Sequence, residues 1–503
     1  MDALRVSHAP AWAIWLLMSS LLAGCAANPR GPEPTPNADT SRGQTLQLAK
    51  EPDQGGPSCI PDGQVDLRNT DPDDSYEQVT ARWKQLACRY KATQGRKLLV
   101  FLDGTANNKQ SSTNIWRLYD LALKAADHGQ PVIPYYDRGV GNDKRSQVTG
   151  NLFGSGVSLN VRQAYRFLAQ AYRPGDQIYL FGFSRGAFTA RSLNGFIEFA
   201  GLLDAEALGV DWGDRMPAFT GLTRLHREAN HLYEIYFSRD TGSARFEPTL
   251  RKHLQDYEKQ HGLPVRPVTV EAIGVFDTVP AAGLLRDEEP DDHRIGLYAR
   301  RGYHAMSLDE QRDDFRLQRF FAPLRDGQRL QEVWFAGVHA DVGGGYGAPA
   351  LSGCPLDPNL PKAQQPIGLE ATPLRWMLGN FTADRIFADA PWPQECLDGR
   401  LHDEFLDSVG LRQRVFRLAG LNRRHPVVGD TVDGSVLCRM QITLAEGVRH
   451  CEREPEGHYR PANLGDDPRR LFKVLPRACP ATARPQAQRE QTADAPVTRC
   501  ATP

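Results

Sequence analysis

Ser184 stands in Gly182-Phe183-Ser184-Arg185-Gly186, between the apolar run Ile178–Phe181 and a helix-compatible run that starts near Ala187. A G-x-S-x-G between strand and helix is the pattern of a nucleophile elbow, a sharp turn that lifts a Ser hydroxyl clear of a sheet. Gly182 and Gly186 suit such a turn, because side chains there would collide where the strand and helix backbones close up. The plainer alternative is a tight turn whose Ser caps the helix. A Ser hydroxyl is a poor nucleophile at neutral pH and needs a base. His339 follows the apolar stretch Leu330–Val338 and is placed to take the Ser proton and return it to a leaving group. Asp277 follows Val268–Phe276 and would hold the imidazole tautomer. The order Ser, Asp, His is that of α/β-hydrolases.

Each assignment has a rival. His339 could be a loop histidine bonded to backbone, and Asp277 could be an N-cap. The other candidate acids are Asp103 and Asp341, the latter very near His339 in sequence. Acyl transfer also needs two oxyanion donors. The Arg185 N–H, next after the nucleophile, is one. The loop Asp103-Gly104-Thr105, after an earlier strand, is placed for the second, through Gly104 or Thr105. Asp103 itself reads as structural, pinning that loop through its amides. The Arg185 side chain is either a surface cation or a contact for anionic substrates. Gly154-Ser155-Gly156 lacks the Lys-Ser/Thr of a phosphate-binding loop and reads as a turn that opens a helix.

The elements that must position these groups alternate. Apolar strands are expected at Lys97–Leu102, Val132–Tyr136, Ile178–Phe181, Val268–Phe276 and Leu330–Val338. Helices are expected at Tyr76–Tyr90, around Ile115–Ala122, around Val157–Leu168, at Ala187–Ala200 and at Ala371–Phe381. Strands separated by helices and ending in polar loops predict an α/β fold, a doubly wound, mostly parallel sheet of α/β-hydrolase type with helical insertions. The polar stretch 203–265 would be a cap or lid inserted into a catalytic domain at 76–380. Residues 381–480 read as a less regular C-terminal extension, and 481–503 as a disordered tail.

Ala11–Leu22 is apolar but short for a membrane span, and ends in Leu22-Ala23-Gly24-Cys25, which resembles a bacterial lipobox. The expectation is a signal peptide over 1–24, acylation of Cys25, and a flexible tether over 25–75. An ordinary secretory signal that happens to precede a Cys is the alternative. With Ala26 after the Cys, the lipoprotein resemblance implies the outer membrane, facing the periplasm. Of the nine cysteines, those other than Cys25 are eight, an even number that suits disulfides in an exported chain. No C-x-x-C occurs, so no metal site is expected. A net charge of −1 without long single-sign runs gives no support to nucleic-acid binding.

FLDGTANN (101–108), YYDRGVG (135–141), AYRFLAQAYRPGDQIYLFGFSRGAFTAR (164–191), GVFDTV (274–279), SLDEQRDDF (307–315) and VWFAGVHADVGGGY (333–346) together resemble the α/β-hydrolase domain of type VI secretion phospholipase effectors. Weaker matches run through PLRWM (373–377), GSVLCRM (434–440) and YRPANL (459–464). The resemblance implies esterase chemistry on phospholipid acyl bonds, with Ser184 as nucleophile, Asp277 as acid and His339 as base. The expected function is cofactor-free acyl-ester hydrolysis in the cell envelope, on a phospholipid or lysophospholipid. A carboxylesterase or acyltransferase on small or cell-wall esters, and a non-catalytic envelope lipoprotein, are the alternatives. A protein partner is left open.

Overall fold

In the computed structural model the described residues are 76–104, 112–139, 152–210, 224–237, 246–280, 295–346 apart from 313–314 and 321–323, 354–402 apart from 362–363, 388–391 and 398, 424–440, and, with short breaks, 459–475. The readings of the signal peptide, the tether and the C-terminal tail lie outside them.

The chain enters through α1 (Tyr76–Arg89) and β1 (Lys97–Leu102). Leu98, Leu99, Val100 and Phe101 are wholly buried, as expected of a central strand covered on both faces. Helix α2 (Asn114–Asp127) starts where the Thr113 side chain accepts the Trp116 N–H, and buries Ile115, Leu118, Tyr119 and Ala122. β2 (Val132–Asp137) and α3 (Leu152–Ala171) follow. Gly154-Ser155-Gly156 falls inside α3, so the stretch read as a turn is already helical. The elbow elements are β3 (Gln177–Phe183) and α4 (Arg185–Ala200).

Next come β4 (Leu202–Leu203), α5 (Arg224–Tyr236), α6 (Phe246–His261) and β5 (Val265–Arg266). Leu203 pairs with Val265 in an antiparallel bridge, so the two ends of the 203–265 stretch meet. Its helices lie against α4: Tyr236 donates to the Ser192 carbonyl (3.1 Å) and Arg251 pairs with Glu198 (2.9 Å). The sheet then continues with β6 (Val270–Phe276), β7 (Arg301–Ser307) and β8 (Arg329–Phe335). After the short α7 (His339–Gly343) and α8 (Ala371–Asn380), β9 (Thr431–Asp433), α9 (Gly434–Arg439) and β10 (Lys473–Leu475) complete the described elements.

The eight strands of the main sheet lie in the order β2-β1-β3-β6-β7-β8-β9-β10, and every neighbouring pair is parallel. The α/β architecture expected from the alternation is present, with three more strands than the five expected. β9 and β10 come from the stretch read as an extension, and they form one edge of the main sheet. Pro134 sits in β2, the opposite edge, where its missing N–H costs no ladder bond.

The chain goes from β1 outward to β2, then crosses back to β3 on the other side of β1. The loops after β1 and β3 therefore diverge, which opens a crevice at the carboxyl ends of these strands. Phe101 of β1 stacks on Phe181 of β3 (centroids 5.0 Å apart), and Phe381 packs on Phe181 from the segment after α8 (4.9 Å). Burial of each such side chain stabilises the fold by roughly 1.5–3 kcal/mol. This makes a rigid floor beneath the crevice.

Candidate active site

Ser184 occupies the turn between β3 and α4 with φ 59° and ψ −129°. A non-glycine residue in that region is strained by roughly 1–3 kcal/mol, a cost that surrounding packing must hold. The neighbours supply that hold: the Ser184 N–H donates to the Phe276 carbonyl (3.1 Å), and its carbonyl accepts from Ala187 (3.1 Å) and Val279 (3.3 Å). A Cβ on Gly186 would lie 2.2 Å from the Leu102 carbonyl oxygen, and one on Gly182 would lie 2.5 Å from the Gly186 oxygen. Only glycine lets β1, β3 and α4 meet this closely. The Ser184 side chain makes no capping hydrogen bond to α4, which removes the observation that the plain-turn reading would require.

Asp277 follows β6 and is fully buried. It takes φ 36°, and its N–H donates to the Ala305 carbonyl of β7 (2.7 Å). Its Oδ1 accepts the Ser307 N–H (2.9 Å). Its Oδ2 meets His339 Nδ1 at 2.7 Å and accepts from Arg424 Nη2 at 2.9 Å. Burial alone would push this carboxyl up. The Arg424 cation, His339 and the Ser307 amide outweigh it and hold it down at about 2. An ionised Asp277 can only accept, so His339 Nδ1 carries the proton and Nε2 is left with its lone pair. Burial also lowers the His339 pKa, with Asp277 pulling the other way. The imidazole is thus neutral at neutral pH and able to take a proton.

His339 opens α7, and its ring lies against Phe183, the neighbour of Ser184 (centroids 4.6 Å), and against Phe315 (4.9 Å). Gly343 is what permits this approach, since a Cβ there would fall 2.0 Å from the Phe183 ring. The His339 N–H donates to Glu310 Oε2 (3.3 Å), and Glu310 is itself clamped by Arg312 (2.7 Å). Ser184, Asp277 and His339 all stand at the carboxyl ends of β3, β6 and β8, on the crevice side of the sheet.

The rival acids have other partners. Asp341 caps α7 through the Val338 N–H (3.1 Å) and faces His402 Nδ1 (2.7 Å), away from His339's own partner. Asp103 accepts from Thr113 (2.6 Å), Tyr136 (2.8 Å) and the Gly104 N–H (2.7 Å). It pins its loop as expected from its type, and in doing so it engages the Gly104 amide. Thr105 lies outside the described residues. Arg185 begins α4, and its carbonyl accepts from Thr189 (2.8 Å).

Three contributors were not signalled by the sequence. Arg424 is one of two adjacent arginines, Arg423 and Arg424, and charge alone does not say which one turns inward. Glu310 is one acid in a mixed-charge loop. His304 of β7 is wholly buried: its Nε2 accepts the Thr278 N–H (3.2 Å), so Nδ1 is the nitrogen that donates to Glu332 (3.1 Å). That fixes the peptide following Asp277. One covalent tie is defined, Cys354–Cys396; Cys88 is also disulfide-bonded, and Cys438 is a buried thiol. Among the described residues no group of three His, Cys, Asp or Glu side chains could hold a metal ion. No described helix is long and apolar enough to cross a membrane.

Residues 96–380 match the family model of the catalytic domain of Tle1-like type VI secretion phospholipase effectors. Among curated proteins the chain is similar to the uncharacterized protein YEL023C of Saccharomyces cerevisiae, 31% identical over 257 residues. That match covers 46% of this chain and 34% of the yeast protein, so the chain spans about a third of that relative's length. Solved structures with some likeness include an uncharacterized protein from Pseudomonas aeruginosa, at 17% identity and TM-score 0.29, covering 62% of this chain and 48% of that one. Another is the Tle1 effector bound to the VgrG spike of the type VI secretion system, at 16% identity and TM-score 0.24, covering 58% and 61%.

Proposed function

The chain belongs to the Tle1-like type VI secretion phospholipase effector family through its catalytic domain, and on that premise we propose that it is a serine hydrolase that cleaves phospholipid acyl esters through a Ser184 acyl-enzyme. The observation that carries this is the buried 2.7 Å Asp277–His339 pair at the rim that holds the elbow of Ser184. His339 Nε2 takes the Ser184 proton as the hydroxyl oxygen attacks the ester carbonyl. The tetrahedral oxyanion is met by the Arg185 N–H at the start of α4 and by a second donor from the loop after β1, with Thr105 as the candidate. The tetrahedral intermediate collapses, His339 gives the proton to the leaving alcohol, and the acyl group stays on Ser184. Water, deprotonated by the same imidazole, then releases the fatty acid and restores the Ser184 hydroxyl. Asp277 stays ionised throughout and stabilises the imidazolium.

The sequence Leu22-Ala23-Gly24-Cys25 supports a second part of the reading, a lipid anchor on Cys25 that places the enzyme at the outer membrane, facing the periplasm. A tethered hydrolase meets membrane lipid at a raised effective concentration. The test offers the chain lacking residues 1–24 nitrophenyl esters of increasing acyl length and phosphatidylglycerol vesicles, beside Ser184→Ala. Release of fatty acid that depends on Ser184 and rises with acyl length supports a lipid substrate. Activity confined to short esters makes it a small-ester esterase. A Ser184→Ala variant as active as the parent ends the serine-hydrolase reading.

A further inference from the structure

We infer that Arg424, contributed by the chain beyond the family-matched residues, is a positioning residue of this catalytic centre that sets how acidic a medium the base tolerates. The inference rests on the Ser184–Asp277–His339 reading above. Arg424 is 5% exposed, and its Nη2 donates to Asp277 Oδ2 (2.9 Å) and lies 3.4 Å from Ser307 Oγ. It therefore shares with His339 the same carboxylate oxygen. Its place is held from behind, since Asn463 Nδ2 bridges the Arg424 carbonyl (3.2 Å) and the Leu308 carbonyl (3.0 Å).

A cation on Oδ2 has two effects. It keeps a buried carboxyl ionised, which the tautomer of His339 requires. It also takes up part of the negative charge that would otherwise stabilise the imidazolium, and its own positive charge opposes that form directly. The first preserves the tautomer that leaves Nε2 free, and the second, acting on an Asp277 that stays ionised, favours neutral His339. The other charged groups around the pair are already engaged. Glu310, from the loop after β7, holds the His339 N–H and Arg312. His304 of β7 is bonded to Glu332, and Asp341 on α7 faces His402. Arg424 is the cation in direct contact with the acid. With its charge removed, the imidazolium is easier to form, the pKa of His339 rises, and the acid limb of the rate profile moves to higher pH.

The experiment follows kcat/KM against pH on a nitrophenyl ester for wild type, Arg424→Gln, Arg424→Lys and Asn463→Ala, with Ser184→Ala alongside. Arg424→Gln keeps a hydrogen-bond donor but no charge, and its acid limb is expected about one pH unit higher. Arg424→Lys keeps the charge, so its limb stays at the wild-type position even where kcat drops. Asn463→Ala loosens Arg424 without altering the charge inventory, and its limb is expected to move the same way by about half a unit. That variant decides the matter if the glutamine variant does not fold. A structural role alone would lower activity evenly at every pH. An unmoved limb in the folded glutamine variant, or in Asn463→Ala if the former does not fold, overturns this inference only. Full activity in Ser184→Ala overturns the triad reading and this inference together.

Discussion

Gly186→Ala adds one methyl where the structure has no room. The new Cβ would stand 2.2 Å from the Leu102 carbonyl oxygen and 2.4 Å from that of Asp103. Both are backbone atoms at the end of β1, so no side-chain rotation relieves the contact. To reach even 3.0 Å, α4 and the end of β1 must part by about 0.8 Å. Overpacking of this kind costs about 1–3 kcal/mol, and the backbone location places it at the upper end. For a chain of this size that is a fall in Tm of roughly 2–3 °C. The same displacement separates Ser184 from the loop of Asp103 and Gly104, and a misplacement of about 1 Å at a catalytic centre costs about 100-fold in rate. The assay pairs a thermal melt with ester hydrolysis of the surviving folded protein. Gly379→Ala is the control. That glycine is exposed in α8, and an added Cβ meets nothing within 4 Å. The gain in helix propensity there should stabilise by up to about 1 kcal/mol and leave the rate unchanged. If Gly186→Ala melts and turns over like wild type, the close approach of strand and helix at the elbow is wrong.

Other perturbations separate chemistry from scaffold. Asp277→Asn should lower kcat by about 10⁴ with KM little changed, because an amide allows the wrong imidazole tautomer. It should also destabilise by about 3–5 kcal/mol, since Arg424 loses its anion, and a urea titration reads that cost. Asp176→Ala strands the buried Arg96, whose guanidinium meets the Asp176 carboxylate at 2.5 and 3.1 Å, and should cost about 3–5 kcal/mol. Asp176 precedes β3, at the end of the sheet away from Ser184, so kcat of the folded fraction should stay as it was. Reducing Cys354–Cys396, which closes 42 residues of chain, should lower stability by about 4 kcal/mol on the chain-entropy model, again read by urea titration.

The legible part of the fold was the part that speaks in continuous apolar runs. β1 was read to the residue, and β3, β6 and β8 to within a few, because buried parallel strands are apolar on both faces. β7 was missed because Gly302 and His304 interrupt its pattern. His304 is tolerated there only because Glu332 and Thr278 satisfy both ring nitrogens, a pairing fixed by tertiary contacts. β9 and β10 are three residues each, too short for any period to show. In the site, Ser184, Asp277 and His339 announced themselves by standing straight after strands. The Gly104 amide was a reasonable oxyanion candidate by position, but whether it was available depended on where the Asp103 carboxylate turned. Arg424 had no local signal at all. The need for it comes from the full burial of Asp277, which exists only once β6 and β7 are packed.

A fluorophosphonate probe tests the central claim most directly, because it reacts with a hydroxyl only where a base has activated it and an oxyanion hole receives the phosphoryl oxygen. Incubation at neutral pH followed by peptide mass spectrometry should place one adduct on Ser184. Labelling should fall by orders of magnitude in His339→Ala and vanish in Ser184→Ala. A folded protein that takes no label at Ser184, or takes it equally with His339 replaced, contradicts the account.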